Sequence, residues 1–437
     1  MVQSTTVERD ARQLHESGRK IGAGEIAIGV MIGRTSEFFD FFVYAIASVL
    51  VFPAIVFPFA DPLTGTLYSF AIFALAFMAR PVGTIIFTAV DRAYGRGVKL
   101  TAALFLLGGS TAAIAFLPGY ASAGLASAAL LALFRMGQGV ALGGSWDGLA
   151  PLLAVNAPES RRGWYAMIPQ LSAPVGLIVA SLLFCFLIAM MPAQDFLQWG
   201  WRYPFFVAFA INVVALFARL RIVMTPEYSD MFDSGELEPA AVVQTVHAEW
   251  KTIWAGSFAP LASFAMFHMV TVFPLSWVFL FTQDSPIRFL LIEAFTAIVC
   301  IGALFASGHF ANRFGRRTVL AASAAAIAVF SGFAPQLLGA GTTGEILFMI
   351  VGFALLGISF GQSSGALSNR FQPRHRYTAS ALTSDLAWMF GAGFAPLAAL
   401  LLSYVFGLGA SGAYLLSGAI LTLLALWLNR ELARTSE

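Results

Sequence analysis

Two short charged segments decide the fold: GHFANRFGRR at residues 308–317 and DRAYGR at residues 91–96. Each lies between two long apolar runs, and about 220 residues separate the two segments. A weaker sequence similarity relates RGWYA at 162–166 to RYTAS at 376–380. Because the same basic loop recurs at the same place in each half, the pattern predicts an internal duplication, which is typical of transport proteins.

The apolar runs are long enough to cross a membrane, since a spanning helix needs about 20 mostly apolar residues. The 437 residues are 59% apolar and 11% charged, whereas a soluble chain has about 45–50% and about 25%. We therefore predict an all-α polytopic membrane protein with twelve transmembrane helices in two six-helix bundles. The predicted spans are 25–52, 64–90, 98–118, 124–155, 163–191, 203–223, 252–282, 286–310, 318–338, 344–367, 377–404 and 410–428.

The longest hydrophilic stretch divides the chain between spans six and seven. It predicts an N-terminal bundle at 25–224, a cytosolic linker at 225–251 and a C-terminal bundle at 252–428. The tails at 1–24 and 429–437 are predicted to be cytosolic. The first tail carries charges of both signs and lacks the short apolar core of a signal peptide.

The distribution of basic residues predicts the orientation. Of the 25 Lys and Arg, only Arg202 and Arg288 lie in or beside the predicted outside loops, and most of the others lie in or beside the predicted inside segments. By the positive-inside rule, we expect a multi-pass plasma membrane protein, in a bacterial inner membrane, with both termini in the cytoplasm.

Composition also indicates which classes of partner and cofactor to expect. The net charge of +2 suggests no nucleic-acid partner. Cys185 and Cys300 both fall in apolar runs, which argues against a disulfide framework or a metal cluster. We expect a monomer in contact with membrane lipid and a small-molecule substrate, with no cofactor and with H⁺ as the coupling ion.

The charged segment at residues 308–317 resembles the loop motif of the major facilitator superfamily. The matching residues are Gly308-x-x-x-Asn312-Arg313-x-Gly315-Arg316-Arg317. That copy has Asn312 where Asp is usual. The first-half copy has Phe87 where Gly is usual and one extra residue between Arg92 and Gly95.

Finer features resemble the metabolite:proton symporter family within that superfamily. They are Glu37-Phe-Phe-Asp40-Phe41, Arg80-Pro81-x-Gly83, Arg135-x-x-Gln138-Gly139-x-x-x-Gly143-Gly144, Trp199-Gly200-Trp201-Arg202-x-Pro204-Phe205 and Arg376-Tyr377-Thr378. The resemblance covers nearly the whole chain and implies proton-driven uptake of organic acids or zwitterions such as 2-oxoglutarate, citrate, shikimate, proline or betaine. Ser145 stands where that family usually has Glu, and Asp147 follows two residues later.

Span one carries three charges, Arg34, Glu37 and Asp40, at three-residue spacing. If all three were charged and unpaired, their insertion into the membrane would cost roughly 9 kcal/mol. About seventeen apolar residues of the same span would offset roughly 7 kcal/mol of this cost. Residues three apart share one helical face, so this stripe is predicted to face the protein interior or a wet cavity. We predict that Glu37 or Asp40 carries the coupling proton; the alternative is a static ion cluster.

Further polar residues within the spans are candidates for substrate binding. An Arg fork binds a carboxylate in bidentate fashion, so Arg80 is the preferred anchor for a substrate carboxylate. Its alternative role is pairing with Glu37 or Asp40. The predicted substrate set is Arg34, Arg80, Arg135, Gln138, His268 and Asp385.

The charged loops are predicted to form a gate at the cytoplasmic side. Asp147 is expected to pair with Arg92 or Arg96, and a plain structural salt bridge is the alternative. The other predicted gate residues are Arg313, Arg316 and Arg317.

Three functions compete at this level. Symport of a small carboxylate, or of a zwitterion, by alternating access is the leading prediction. Efflux by proton antiport is the second, because Ala173-Pro174-Val175-Gly176 partly resembles an exporter motif. A membrane-embedded enzyme is a distant third, since no nucleophile elbow or zinc spacing occurs in the sequence.

Overall fold

The computed structural model describes residues 23–146, 161–223, 238–282, 284–363 and 370–434. Within these ranges the regular structure is helical, in twelve long helices. The N-terminal half contains α1 Ala23–Leu50, α2 Pro62–Tyr94, α3 Arg96–Ala115, α4 Ala126–Gly144, α5 Arg162–Met190 and α6 Tyr203–Val223. The C-terminal half contains α7 in three segments (Val242–Phe258, Leu261–Thr271, Phe273–Phe281), α8 Pro286–Phe314, α9 Arg316–Ser331, α10 Gly341–Phe360, α11 Pro373–Phe406 and α12 Gly409–Arg434.

Ten of the described helices are long and apolar enough to cross a membrane by length and composition alone. The two others have physical reasons to differ. Helix α1 carries Arg34, Glu37 and Asp40 in its middle. Helix α9 has 16 residues, or about 24 Å of rise, and the short helix Ala334–Leu338 follows it closely.

Helix α7 begins earlier than the sequence predicts. Its first segment starts at Val242, so part of the predicted linker 225–251 is helical. This segment packs on the start of α11, where the Glu249 carboxylate accepts the backbone N–H of Gln372 at 3.0 Å. Contacts with another helix therefore order a stretch that hydrophilicity alone assigns to a loop.

Three of the long helices are interrupted close to proline. A 3₁₀ turn at Ile168–Leu171 contains Pro169 in α5. Helix α7 breaks at Val272, just before Pro274, and a π-helical turn at Met389–Gly393 precedes Pro396 in α11. Proline removes a helical hydrogen bond, and these are the sites at which such helices bend.

The two charged loops have the same backbone turn. Gly95 lies between α2 and α3 with φ of 85°, and Gly315 lies between α8 and α9 with φ of 83°. Only glycine adopts this conformation readily. The duplicated loop motif thus includes the glycine that its reversal of chain direction requires.

Glycine also sets the distance between α2 and α4. A side chain at Gly83 would overlap the Val140 carbonyl, and one at Gly139 would overlap the Ala76 carbonyl. Small residues allow such close approach of helices. This packing brings the polar side chains of α4 against α1 and α2.

Aromatic rings fill the join between the two halves. Phe38 of α1 lies 5.9 Å from Phe267 and 6.1 Å from Trp388, measured between ring centroids. Phe77 of α2 stacks on Trp388 at 6.2 Å. Polar side chains, among them His268 and Arg80, border this aromatic cluster.

Candidate functional site

Asp40 lies at the centre of a buried hydrogen-bond network in the N-terminal half. Its side chain accepts hydrogen bonds from Thr111 of α3 at 2.6 Å, Asn212 of α6 at 2.9 Å and Gln138 of α4 at 3.2 Å. The exposure of Asp40 is 2%. Three helices therefore converge on one carboxyl group, as the predicted inward-facing stripe requires.

Arg135 of α4 completes this Asp40 network, which we define as Asp40, Thr111, Asn212, Gln138 and Arg135. Its Nη1 donates to Gln138 Oε1 at 2.9 Å, so the amide of Gln138 connects the guanidinium to the carboxyl group. Arg135 is buried, with an exposure of 2%. The guanidinium and Asp40 are thus linked through one side chain without direct ion pairing.

The guanidinium of Arg135 also packs against aromatic rings. Its Cζ lies 4.0 Å from the ring centroid of Tyr44 and 4.9 Å from that of Phe73. Cation–π attraction of this kind helps to hold a desolvated cation. Within the described residues, however, Arg135 Nη2 and the Tyr44 hydroxyl have no hydrogen-bond partner.

His268 approaches the same place from the C-terminal half. Its ring centroid lies 5.2 Å from Phe41 and 5.4 Å from Phe73. The residue is fully buried, and neither ring nitrogen has a hydrogen-bond partner in the described part of the chain. We define the central site as Tyr44, Arg135 and His268 around Phe41 and Phe73.

The central site has unused hydrogen-bonding capacity. Buried polar groups in proteins are nearly always paired, and leaving one unpaired costs about 1–3 kcal/mol. Donors on a guanidinium and a phenol, with an imidazole opposite, match the oxygen atoms of a carboxylate. These unpaired groups lie where side chains of the two halves meet.

Glu37 lies in a separate ion pair, one helical turn closer to the N-terminal end of α1 than Asp40. Arg219 of α6 contacts it with Nη2 at 2.8 Å, and the Ser145 hydroxyl donates to it at 2.7 Å. The metabolite:proton symporter family, which this sequence resembles, usually has Glu at the position of Ser145. In this chain a hydroxyl therefore contacts Glu37 from that position. Arg34, the third residue of the stripe, lies over the Phe38 ring with its Cζ 5.8 Å from the centroid.

Arg80 pairs across the two halves with Asp385 of α11. Arg80 Nε lies 3.2 Å from Asp385 Oδ1, and Thr84 hydrogen-bonds to the other carboxylate oxygen. The side chains of Arg80 and Asp385 are 14% and 3% exposed. Glu37 and Asp40, which were the alternative partners predicted for Arg80, contact other residues. Arg80 instead pairs with a carboxylate of α11, a contact that sequence spacing does not reveal.

The first charged loop, at residues 91–96, and the first turn of α3 also contact α11. Arg96 Nη2 lies 3.0 Å from Asp91 Oδ2, so its described carboxylate partner belongs to its own loop. Lys99 Nζ donates to the Tyr377 hydroxyl at 2.7 Å, and the Arg96 guanidinium covers the Tyr377 ring at 4.3 Å. The predicted partner Asp147 lies outside the described residues.

The second charged loop makes the equivalent contact with α5. Asn312 Oδ1 accepts the backbone N–H of Gly163 at 2.8 Å, and Gln362 donates to the Gly163 carbonyl at 3.1 Å. Arg316 Nη2 donates in turn to the Gln362 carbonyl at 3.1 Å. Each duplicated loop therefore joins its own half to the opposite one.

The remaining predicted gate residues make no described contact between halves. Arg92 and Arg313 are exposed, and Arg313 lies over Phe314 of its own helix. Arg317 donates to the Leu426 carbonyl within the C-terminal half. Near the charged loops, the contacts between halves come from Arg96, Lys99, Asn312 and Gln362 instead.

The sequence names Asp40, Arg135 and Gln138 as separate candidates, and the structure brings them into contact. Tyr44, Thr111, Asn212 and Arg219 were not predicted, although each is a polar residue within or at the end of an apolar run. Tyr44 follows Asp40 by one helical turn, which was the available signal. The other three contacts depend on how separate helices pack.

Known proteins resemble this chain over most of its length. The model of the Major Facilitator Superfamily matches residues 31–396. "Inner membrane metabolite transport protein YhjE" of Escherichia coli (strain K12) is 35% identical over 418 residues, covering 93% of this chain and 94% of the relative. The "Shikimate transporter" of the same strain is 28% identical, covering 94% of this chain and 95% of the relative.

A solved structure shares the architecture. The crystal structure of a D-xylose-proton symporter superposes with a TM-score of 0.69 at 18% identity, covering 92% of this chain and 97% of that chain. At this identity the likeness concerns the fold, which agrees with twelve helices in two bundles.

Proposed function

Because this chain belongs to the Major Facilitator Superfamily and is a multi-pass membrane transporter of a small molecule, we propose that it is a proton-coupled symporter of a small organic acid or zwitterion. The observation that carries the proposal is the chain of contacts from Asp40 through Gln138 to Arg135. It places a protonatable group and an anion-binding group in one buried network.

The network supplies a mechanism for coupling. Arg135 is the cation of the central site. When Asp40 is ionised, the positive charge of Arg135 stabilises it through the amide of Gln138, which hydrogen-bonds to both groups. A substrate carboxylate bound at Arg135 would compete for the same positive charge. A proton on Asp40 removes that competition, so substrate and proton each favour binding of the other, as linkage requires.

Arg135 is a better anchor for the substrate than Arg80. Arg80 already has the Asp385 carboxylate as a partner. Arg135 Nη2 and the Tyr44 hydroxyl have no hydrogen-bond partner among the described residues, and the Arg135 Cζ lies 4.0 Å from the Tyr44 ring centroid. His268 faces the same rings from the opposite half. A bound carboxylate would therefore bridge the halves and promote their closure around it.

The contacts between halves suggest how access alternates. Lys99–Tyr377 and Asn312–Gly163 lie at the starts of α11 and α5, and Arg80–Asp385 lies further along α11. With both termini in the cytoplasm of a bacterial inner membrane, the starts of α5 and α11 lie at the cytoplasmic end. These contacts would break when the two bundles rock to release substrate inward.

A binding screen tests the anchor. Purified protein is heated with organic acids and zwitterions, since a ligand present at 100 times its Kd stabilises the bound state by about 2.7 kcal/mol. Arg135→Gln should abolish the thermal shift, and the exposed Lys251→Gln serves as the control that keeps it. An unchanged shift in Arg135→Gln would remove the central site from the mechanism.

The direction of coupling needs a second readout. Substrate added to right-side-out vesicles should make the external medium alkaline, because a symporter takes up protons with its substrate. Acidification of the medium would instead establish proton antiport, and a constant pH would exclude proton coupling.

A further inference from the structure

Glu293 of α8 is a further buried carboxyl group, outside the Asp40 network. It is fully buried, and the Ser181 hydroxyl of α5 donates to its Oε2 at 3.0 Å. Its Oε1 has no hydrogen-bond partner among the described residues. Since α5 and α8 belong to opposite halves, this hydrogen bond crosses the join.

No described cation forms an ion pair with Glu293. Cys185 is the titratable residue of the α5 segment Ser172–Met190, and Phe273–Phe281 of α7 contains none. The titratable residue of α10 is Glu345, which pairs with Arg288 of α8 at 2.6 Å. The other titratable groups of α8 are Cys300, His309 and Arg313.

The environment of Glu293 suits a neutral carboxylic acid. An ionised carboxylate removed from water needs a cation or several donors, and one hydroxyl does not replace its hydration. A protonated carboxyl group keeps the Ser181 hydrogen bond through its carbonyl oxygen. The packed α5–α8 interface therefore favours the form of Glu293 that carries a proton.

We propose that Glu293 is a second proton-binding site, which holds a proton while α5 and α8 are packed and releases it to water when they separate. In the released state the side chain is a solvated carboxylate and the Ser181 hydrogen bond is broken. The separation step rests on the alternating access proposed above, whereas the protonated state in the packed interface does not. Low pH should thus stabilise the packed interface, and high pH should favour its opening.

Infrared difference spectroscopy of the purified protein tests the proposal directly. A protonated carboxyl group absorbs apart from a carboxylate, so the wild-type protein should show a carboxylic-acid band that disappears as the pH is raised. Glu293→Gln should lack that band, and Asp40→Asn should retain it. Ser181→Ala should shift the frequency of the band, because it removes the hydrogen bond to the carbonyl oxygen.

The variants are chosen to preserve the fold. Gln retains the size of Glu and can accept the same Ser181 hydrogen bond. Identical pH-dependent spectra for Glu293→Gln and the wild type would overturn the proposal. If the band is lost in Glu293→Gln while vesicles show no proton movement with substrate, the Glu293 site stands and the proposed symport fails.

Discussion

Replacing Arg80 with alanine is expected to loosen the closure between α2 and α11. The Arg80–Asp385 pair joins the two halves at 3.2 Å, with 14% and 3% of the two side chains exposed. Arg80→Ala leaves the Asp385 carboxylate buried with the Thr84 hydroxyl as its remaining described partner. The uncompensated charge opposes the closed arrangement but not an open, hydrated one.

The size of the effect follows from the burial of the pair. Breaking a buried ion pair by removing one partner costs about 3–5 kcal/mol. Because Arg80 retains some exposure, we take the lower end, about 3 kcal/mol, which shifts an equilibrium about 100-fold. A mostly closed population would then become mixed or mostly open. Asp385→Ala combined with Arg80→Ala should recover much of the closure, since neither charge remains buried.

Pulsed electron paramagnetic resonance measures the closure. Spin labels are placed on cysteines introduced at Tyr94, which is 62% exposed at the end of α2, and at the exposed Gln372 before α11. The native cysteines are buried and should label poorly. Arg80→Ala should broaden the distances towards longer values, with Lys251→Ala as the exposed control. Unchanged distances in Arg80→Ala, or a double variant as open as the single one, would refute the reasoning.

Three further predictions concern other parts of the molecule. Glu37→Gln should lower thermal stability, because it removes the ionised carboxylate that contacts the buried guanidinium of Arg219 at 2.8 Å; equal melting temperatures would contradict the pairing. Gly83→Ala should destabilise the protein by about 1–3 kcal/mol through overlap with Val140, and a neutral effect on unfolding would argue against such close helix packing. His268→Phe should raise thermal stability by removing an unpaired buried imidazole and weaken substrate binding about tenfold, which titration calorimetry measures. Unaltered affinity would exclude a contact between His268 and substrate.

The fold was largely predictable because membrane insertion imposes a strong pattern on sequence. Long apolar runs, the duplicated loops and the placement of Lys and Arg indicated twelve spans in two halves. The start of α7 was misplaced because the polar helix from Val242 is stabilised by contacts with α11 rather than by lipid. Local hydropathy contains no information about that contact.

The candidate site was predictable only in part. Helical spacing placed Arg34, Glu37 and Asp40 on an inward face, since intramembrane charges avoid lipid. It did not distinguish the environment of Glu37, paired with Arg219, from that of Asp40, which accepts three neutral donors. Partners on other helices decide that difference, and sequence separation does not reveal them.

Proton uptake driven by substrate tests the central claim most directly. A proton moving down about 100 mV supplies about 2.3 kcal/mol, which would support roughly 40-fold accumulation of a zwitterion. A monoanion would instead follow the pH gradient, because its transport with one proton is electroneutral. Proteoliposomes therefore carry both an inside-negative potential and an inside-alkaline gradient, while an external electrode records pH.

The wild-type protein should accumulate substrate and make the external medium alkaline. Asp40→Asn should still exchange labelled substrate across the membrane at equal concentrations, but without accumulation or proton uptake. Alkalinisation of the same size in Asp40→Asn and in the wild type would contradict the account.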